Sequence, residues 1–426
     1  MKVGENLCPG IIHAVPAKDG FLIRIRIPGG MIDVSQLRII ADISSAFADG
    51  AIELTSRANI QLRAIKRQNL EQVVEEIALA GLLPSPLHDR VRNIVTSPIA
   101  GLDAEELIDP RPLIRQLDQR LRDEAIFADL HPKFSFAVHG GPRRFSQHAD
   151  DLSLEAVDFN ASTYLRLSIG GVALRFVATR GDAIGCMLEA ARMCIRLAKE
   201  SGLPVRAGRV VEIPGAMERI IDSLSPVLTP FPYPPHSPSV VEALLGVHPA
   251  TQADRVNIAP SVPLGQITSE QAHCVAEAAR EWECDLRLAG WRGLVLGSIP
   301  RSAADSVVDR LHSIGLSCEG RDGFRGVAAC AGSVGCEASL ADVRNDAASL
   351  AKRLFGRAVP PGWTVNLSGC DKQCARRHGA TAELTASPSG YTLKIKGQIV
   401  SSSCSPEFAI DVIAALHADL ISEAAS

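Results

Sequence analysis

The sequence predicts an internally duplicated α+β protein. Three observations predict it. A run of elements near the N-terminus returns about 234 residues later, each copy leads on to a hairpin and a long helix, and a proline-dense stretch lies between them.

The first copy, residues 21–83, begins FLIRIRIPGGMIDVSQLRIIADISSAF. The second, residues 256–317, begins VNIAPSVPLGQITSEQAHCVAEAAREW. Each opens on an extended run, passes Pro-x-Gly (Pro28–Gly30, Pro263–Gly265) and enters an amphipathic helix. A strand follows (Ala51–Leu54, Asp285–Leu288), then a second apolar run, another helix and a Gly-Leu (Gly81-Leu82, Gly315-Leu316). Further on, Tyr164–Val177 reads as a hairpin turning at Gly170-Gly171, with a helix from Asp182 to Lys199. Its counterpart is a shorter hairpin over Tyr391–Val400, turning at Gly397, with a helix from Pro406 to Ile421. Residues 225–238, SPVLTPFPYPPHSP, hold too much proline for a helix or a central strand and read as a linker. The expected units are 1–85, 86–224, a linker at 225–240, 241–319 and 320–426.

Of the 426 residues, 46% are hydrophobic, which is ample for a core, and 22% are charged. A net charge of −4 argues against a general nucleic-acid binder. No apolar run reaches the ~18 residues that span a membrane, so a soluble, cytoplasmic protein is expected. The opening MKVGENLCPGIIHAV lacks the apolar run of a signal peptide, and 11 cysteines in so long a chain do not suggest a disulfide framework.

Four of those cysteines form two close pairs, Cys330-x5-Cys336 and Cys370-x3-Cys374, in turns rich in Gly and Ser. A [4Fe–4S] cluster needs four thiolates converging on one point, and two such pairs can supply them. Zinc also takes paired cysteines, usually at the tighter C-x2-C spacing, and a metal-free pair of turns is the remaining alternative. Cys8, Cys186, Cys194, Cys274, Cys284, Cys318 and Cys404 show no paired spacing and read mostly as core residues.

The segment Thr55–Ala64 alternates with period two, setting Arg57, Asn59, Gln61 and Arg63 on one face and Ala58, Ile60, Leu62 and Ala64 on the other. Arg24 and Arg26 likewise share a face opposite Ile23, Ile25 and Ile27. Arg92 and Lys133 add cations in the same half. Grouped arginines repel unless an anion neutralises them, and a polycarboxylate meets that need; separately solvated arginines are the alternative.

With these residues in view, the chain resembles the sulfite/nitrite reductase superfamily along nearly its whole length. The resemblance is carried by Asp19-Gly20 with Arg24-Ile-Arg26, Pro28-Gly29-Gly30, and Thr55-Ser-Arg57-Ala-Asn59-Ile-Gln61. Asp89-x-x-Arg92-Asn93-Ile94, Ser97-Pro98-x-Ala-Gly101, Pro132-Lys133-Phe134 and the two cysteine pairs complete it. It implies two ferredoxin-like modules and two α/β modules about a pseudo-twofold axis. It also implies a [4Fe–4S] cluster on Cys330, Cys336, Cys370 and Cys374, with Cys374 able to bridge to sirohaem iron. Arg57, Arg92 and Lys133 would then face tetrapyrrole carboxylates and the anionic substrate.

The departures are specific. Reductases of this superfamily usually carry Lys-Phe-Lys where this chain has Lys133-Phe-Ser135, and they tend to have Gln and His where it has Ala58 and Arg63. Losing a cationic donor weakens a reduction that consumes several protons. The departures resemble instead a branch whose substrate is itself a tetrapyrrole, precorrin-3A. That branch oxidises it with dioxygen, using electrons from an external NAD(P)H-dependent donor, in cobalamin synthesis. In that reading Arg24, Arg26, Arg57, Arg63, Arg92 and Lys133 pair with substrate carboxylates, and Asn59 and Gln61 supply neutral donors. A mononuclear non-haem iron is also implied, with His13, His88, His131, His139, His148 and His378 available but without diagnostic spacing. No GxGxxG follows an expected strand, so nicotinamide is not expected to bind this chain. A sirohaem-dependent sulfite or nitrite reductase and a non-catalytic tetrapyrrole-binding or electron-relay protein stand as alternatives.

Overall fold

The structure is a computed structural model that describes residues 2–3, 8–144, 150–233, 239–240, 243–376 and 379–425. The first copy contributes β1 (His13–Ala17), β2 (Gly20–Ile25), β3 (Met31–Ile32), α1 (Val34–Phe47), β4 (Ala51–Leu54), β5 (Ile60–Ile65) and α2 (Leu70–Leu79). The next unit contributes β6 (Ile94–Val95), α3 (Arg111–Asp123), β7 (Phe136–His139), β8 (Leu152–Phe159), β9 (Ser162–Ile169), β10 (Val172–Ala178) and α4 (Ala183–Glu200).

The series then starts again. β11 (Gly246–Pro249), β12 (Arg255–Ala259), β13 (Gln266–Thr268), α5 (Ser269–Glu281), β14 (Asp285–Ala289), β15 (Gly293–Pro300) and α6 (Ala304–Ser313) repeat the first set. β16 (Val327–Ala329), α7 (Val343–Leu354), β17 (Val365–Ser368), β18 (Ala382–Ser387), β19 (Gly390–Ile395), β20 (Gln398–Cys404) and α8 (Pro406–Ala425) repeat the second.

Topology and backbone both bear out the duplication. The two ferredoxin-like sheets run β1-β2-β5-β4-β13 and β11-β12-β15-β14-β3. Each half therefore lends one short strand to the other: β13 pairs with β4 (Ile267 opposite Ile52) and β3 pairs with β14 (Ile32 opposite Leu286). Those four side chains share one buried core with α1 and α5, so the halves fold as one body. Both helices start on a reciprocal capping box, Asp33 with Gln36 and Thr268 with Gln271, which satisfies two otherwise orphaned backbone donors. Left-handed backbone recurs in register at Gly29/Leu264, Gly30/Gly265, Gly50/Glu283, Ala58/Arg292, Ala64/Ser298 and Gly81/Gly315.

The other two units also match. In each, three parallel strands are followed by an antiparallel hairpin, ordered β6-β7-β8-β9-β10 and β16-β17-β18-β19-β20. Each has its own core, the first around Phe134, Phe136 and α4, the second around Trp363, Tyr391 and α8.

Two expectations are corrected. The alternating strand expected over Thr55–Ala64 begins only at Ile60, because Thr55–Asn59 is a turn in which Ala58 takes φ 52° and donates to the Thr55 carbonyl. Within the stretch read as linker, Thr229–Pro230 joins the edge of the β10 sheet and Ser239–Val240 pairs with Arg143–Arg144, while 234–238 lie outside the described residues. An edge tolerates proline because one row of donors is unpaired there. Among the described residues no helix is long and apolar enough to cross a membrane.

A Cβ on Gly30 would overlap the Leu288 carbonyl at a left-handed φ of 66°. Gly30→Val should cost about 2–4 kcal/mol, read as a lower midpoint in chemical denaturation.

Candidate functional site

The cysteine pairs lie where β16 and β17 end. Cys330 follows β16, the short helix Gly332–Gly335 leads to Cys336, and Cys370 and Cys374 follow β17 in the adjacent loop. Parallel neighbours bring the two loops together at one sheet edge. Burial raises the Cys374 pKa, and Cys330, Cys370 and Cys336 each raise it further, so all three lie within electrostatic reach of that thiol. The Gly369 N–H donates to the Cys330 sulfur at 3.3 Å, which ties the two loops together. Four cysteines on two adjacent loops are a donor set that suits a [4Fe–4S] cluster. Cys186, Cys194, Cys284 and Cys318 are buried, and burial pushes their thiols up to about 11, 12, 12 and 12.

Each ferredoxin-like half sends an arginine to one cluster loop. Arg63 on β5 donates to the Gly335 carbonyl and is held by Asp19 at 3.0 and 3.2 Å. Arg292, in the turn between β14 and β15, donates to the carbonyls of Cys374 at 3.4 Å and Ala375 at 2.8 Å. Glu53 on β4 joins the set, accepting from Gln61 and from Arg344 on α7 and lying 4.0 Å from Arg63. Burial alone would lower the Arg63 pKa, but Asp19 and Glu53 raise it above the ordinary value.

The expected cations separate into two classes. Arg57 acts on Arg24, Arg24 and Arg90 act on Arg26, and Arg206 acts on Arg57, while Lys133, Arg206 and Arg90 all act on His131. Burial lowers the pKa of Arg24 and Arg57 and brings Arg26 down to about 9, with Arg24 and Arg90 lowering it further. Arg57 has no side-chain hydrogen bond among the described residues, and Nε of both Arg24 and Arg26 is buried without a partner there. Arg26 donates through Nη1 to the Pro9 carbonyl at 2.6 Å. Arg206 is already paired with Asp151 at 2.9 Å, but the unpartnered Nε atoms of Arg24 and Arg26 are donors that a polycarboxylate could meet.

Arg63 and Arg92 belong to the other class. Arg92 is buried in a bidentate pair with Asp118 at 2.6 and 3.1 Å, and Arg63 serves the cluster loop. The two amides are not free donors either. Asn59 accepts from the Ile27 N–H at 2.9 Å, and Gln61 accepts from Arg24 at 2.7 Å while donating to Glu53. Sequence pattern missed Glu53, Arg206, Arg292 and Arg344, whose partners are distant in the chain; the recurrence of the Arg57 turn about 234 residues on was the available signal for Arg292.

Ser135 is buried between Phe134 and Phe136, and its N–H donates to Asp151 at 3.1 Å. No third cationic donor stands at that position. The histidines considered for a mononuclear iron are dispersed. His13 bonds Asp89 at 3.2 Å, His88 bonds Ser85 and the Glu124 carbonyl, and the His131 ring accepts from the Lys133 N–H. His139 is buried, and His148 and His378 lie outside the described residues. Among the described residues no three His, Cys, Asp or Glu side chains, those of the cysteine loops included, are gathered closely enough to hold a metal ion.

Cys370→Ser or Cys374→Ser should abolish cluster absorbance near 400 nm (roughly, for such clusters) and lower bound iron, whereas Cys194→Ser should leave both unchanged. Glu53→Ala removes the counter-charge of Arg344 and Arg63 and should cost about 3 kcal/mol in denaturation, with faster loss of iron from the folded protein.

Models of the nitrite/sulfite reductase ferredoxin-like half domain match residues 13–80 and 248–314, and the nitrite and sulphite reductase 4Fe-4S domain model matches 88–250. The last match falls on the copy without the cysteine pairs, whose strand order the 327–425 unit repeats. A precorrin-3B synthase of Sinorhizobium is 27% identical over 92% of this chain and 83% of its own length. A ferredoxin–nitrite reductase of Synechococcus elongatus is 26% identical over 89% and 78%, and a ferredoxin sulfite reductase of Mycolicibacterium paratuberculosis 27% over 84% and 68%. The solved structure of the Mycobacterium tuberculosis NirA protein superposes with a TM-score of 0.77 at 21% identity, covering 92% of this chain and 79% of that one. With both half domains and the domain between them matched on a duplicated scaffold, this chain belongs to the nitrite/sulfite reductase family, whose members are oxidoreductases.

Proposed function

We propose that this chain is a precorrin-3B synthase, oxidising precorrin-3A with dioxygen. In that reaction one oxygen atom enters the macrocycle as a hydroxyl at a meso carbon and an acetate side chain closes to a γ-lactone. The other oxygen atom leaves as water, with the balancing electrons drawn from an external NAD(P)H-dependent donor. The observation that carries the reading is the chemistry around Lys133: a group of buried arginines, two of them with an unpartnered Nε, beside a buried Ser135 where reductases place a second lysine. The group is suited to holding a large polycarboxylate and poorly suited to delivering several protons to a small oxyanion. The Sinorhizobium relative is consistent with it.

In this proposal Arg24, Arg26, Arg57 and Lys133, joined by Arg90 and Arg206, hold the acetates and propionates of the substrate and fix its orientation. Cys330, Cys336, Cys370 and Cys374 hold the [4Fe–4S] cluster, which when bound supplies single electrons. Arg63 and Arg292 keep its two loops in place from either side. Ser135 stays neutral and offers no proton. The sirohaem-dependent reductase reading is supported by relatives of equal identity, and the same experiment separates the two.

Protein purified without oxygen should show a broad iron–sulfur shoulder and no Soret-type band, and it should convert precorrin-3A only when oxygen and a reductant are supplied. A tightly bound sirohaem band with sulfite or nitrite turnover would overturn the proposal. An intact cluster with no conversion under a competent reductant would favour a relay or binding protein. Arg57→Ala should weaken tetrapyrrole binding about tenfold to a hundredfold while cluster absorbance is retained.

A further inference from the structure

The duplication gives each element around the cationic group a counterpart in the second half. Pro263–Gly265 answers Pro28–Gly30, and the turn at 290–292 answers the turn at 55–59. The segment 324–326 before β16 answers 89–93 before β6, and 361–364 before β17 answers 133–135 before β7. These four counterparts close around a cavity of about 510 Å³. None of the cations assigned above to tetrapyrrole carboxylates lines it; the first half contributes Ser56 among the described residues.

Its chemistry is one-sided. Arg292, Arg325 and Arg376 line it with Trp291, Trp363 and Phe324, and among the described residues no Asp or Glu does. Arg325 makes no side-chain hydrogen bond or ion pair to a described residue, and the Trp363 indole N–H is buried without a partner there. The volume falls within the ~300–1,000 Å³ of small-molecule sites. Flat aromatic walls with three guanidinium groups recognise a flat, electron-rich anion by stacking and charge together.

We propose that this cavity is a second ligand site, for a planar conjugated ring bearing carboxylate or phosphate groups. It is not a copy of the first site in sequence, since Trp291 stands where Arg57 would and Gly293 where Asn59 would. It is the same position in the fold turned to a different ring. Arg292 donates to the Cys374 and Ala375 carbonyls, so an anion on this arginine reaches one of the cluster loops through a single side chain.

Of the chain's three tryptophans, Trp291 and Trp363 line the cavity and Trp282 does not. Tryptophan fluorescence of the cluster-loaded protein is therefore the readout, titrated separately with flavin mononucleotide and with uroporphyrin. At least one probe should quench it saturably; which one does so tells a nucleotide-type ring from a tetrapyrrole. Affinity should fall about tenfold or more in Ala328→Phe, which fills the cavity, and in Arg325→Ala, which removes an exposed cation, and should hold in Arg57→Ala. No saturable quenching by either probe would overturn the proposal. So would quenching lost in Arg57→Ala but kept in both cavity variants, since the ligand would then sit in the first-half group. That second outcome leaves the proposed reaction untouched, so the two readings fail separately.

Discussion

The half-buried carboxylate of Glu53 is the constraint on which the site depends. It sits on a strand of the first half, yet it accepts from an arginine of the cluster-bearing unit and from Gln61, and it lies within reach of Arg63. Gln61 in turn holds Arg24, and Arg63 holds the loop between Cys330 and Cys336. One anion thus sets the position of both the cluster loop and the nearest member of the cationic group. In a low-dielectric interior such a carboxylate has no substitute from solvent, so its partners cannot drift independently.

Around that point the two copies have kept their backbone and exchanged their chemistry. Left-handed turns survive at matching positions even where glycine has gone, as at Leu264 and Glu283, each at a cost of roughly 1–2 kcal/mol that the surrounding sheet must impose. The loops after β6 and β7 carry the buried Asp103–Arg143 pair, where the loops after β16 and β17 carry the cysteines. The paired cysteines lie in one copy and the cationic group in the other.

Much of this was legible in the sequence, for identifiable reasons. Period, punctuation and proline content are local properties, so the repeat, the hairpins and the long helices could be read directly. The cysteine loops were equally legible because both pairs are short-range. The side-chain roles on β5 were not. Alternation marks Gln61 and Arg63 as sharing a face but does not say that the face is buried, or that Glu53 and Gly335 await them across it. The pairing of Arg92 was illegible for the same reason: its partner, Asp118, is a helix away. Charge pairing across the fold decides which arginines remain for a ligand, and that pairing is a property of topology.

The borrowed strands have a consequence for synthesis. The edge of β4 stays unpaired until residues 266–268 leave the ribosome, and β3 must wait for 286–287. At about 5–20 residues per second, that leaves an exposed sheet edge for roughly 10–40 s on every nascent chain. Hydrophobic edges left open so long invite pairing with the wrong chain. Glu53 sits in the middle of that edge, flanked by Ile52 and Leu54. Before Arg344 exists to meet it, its charge is a barrier to misassembly, so one residue can guard the growing chain and then anchor the finished one.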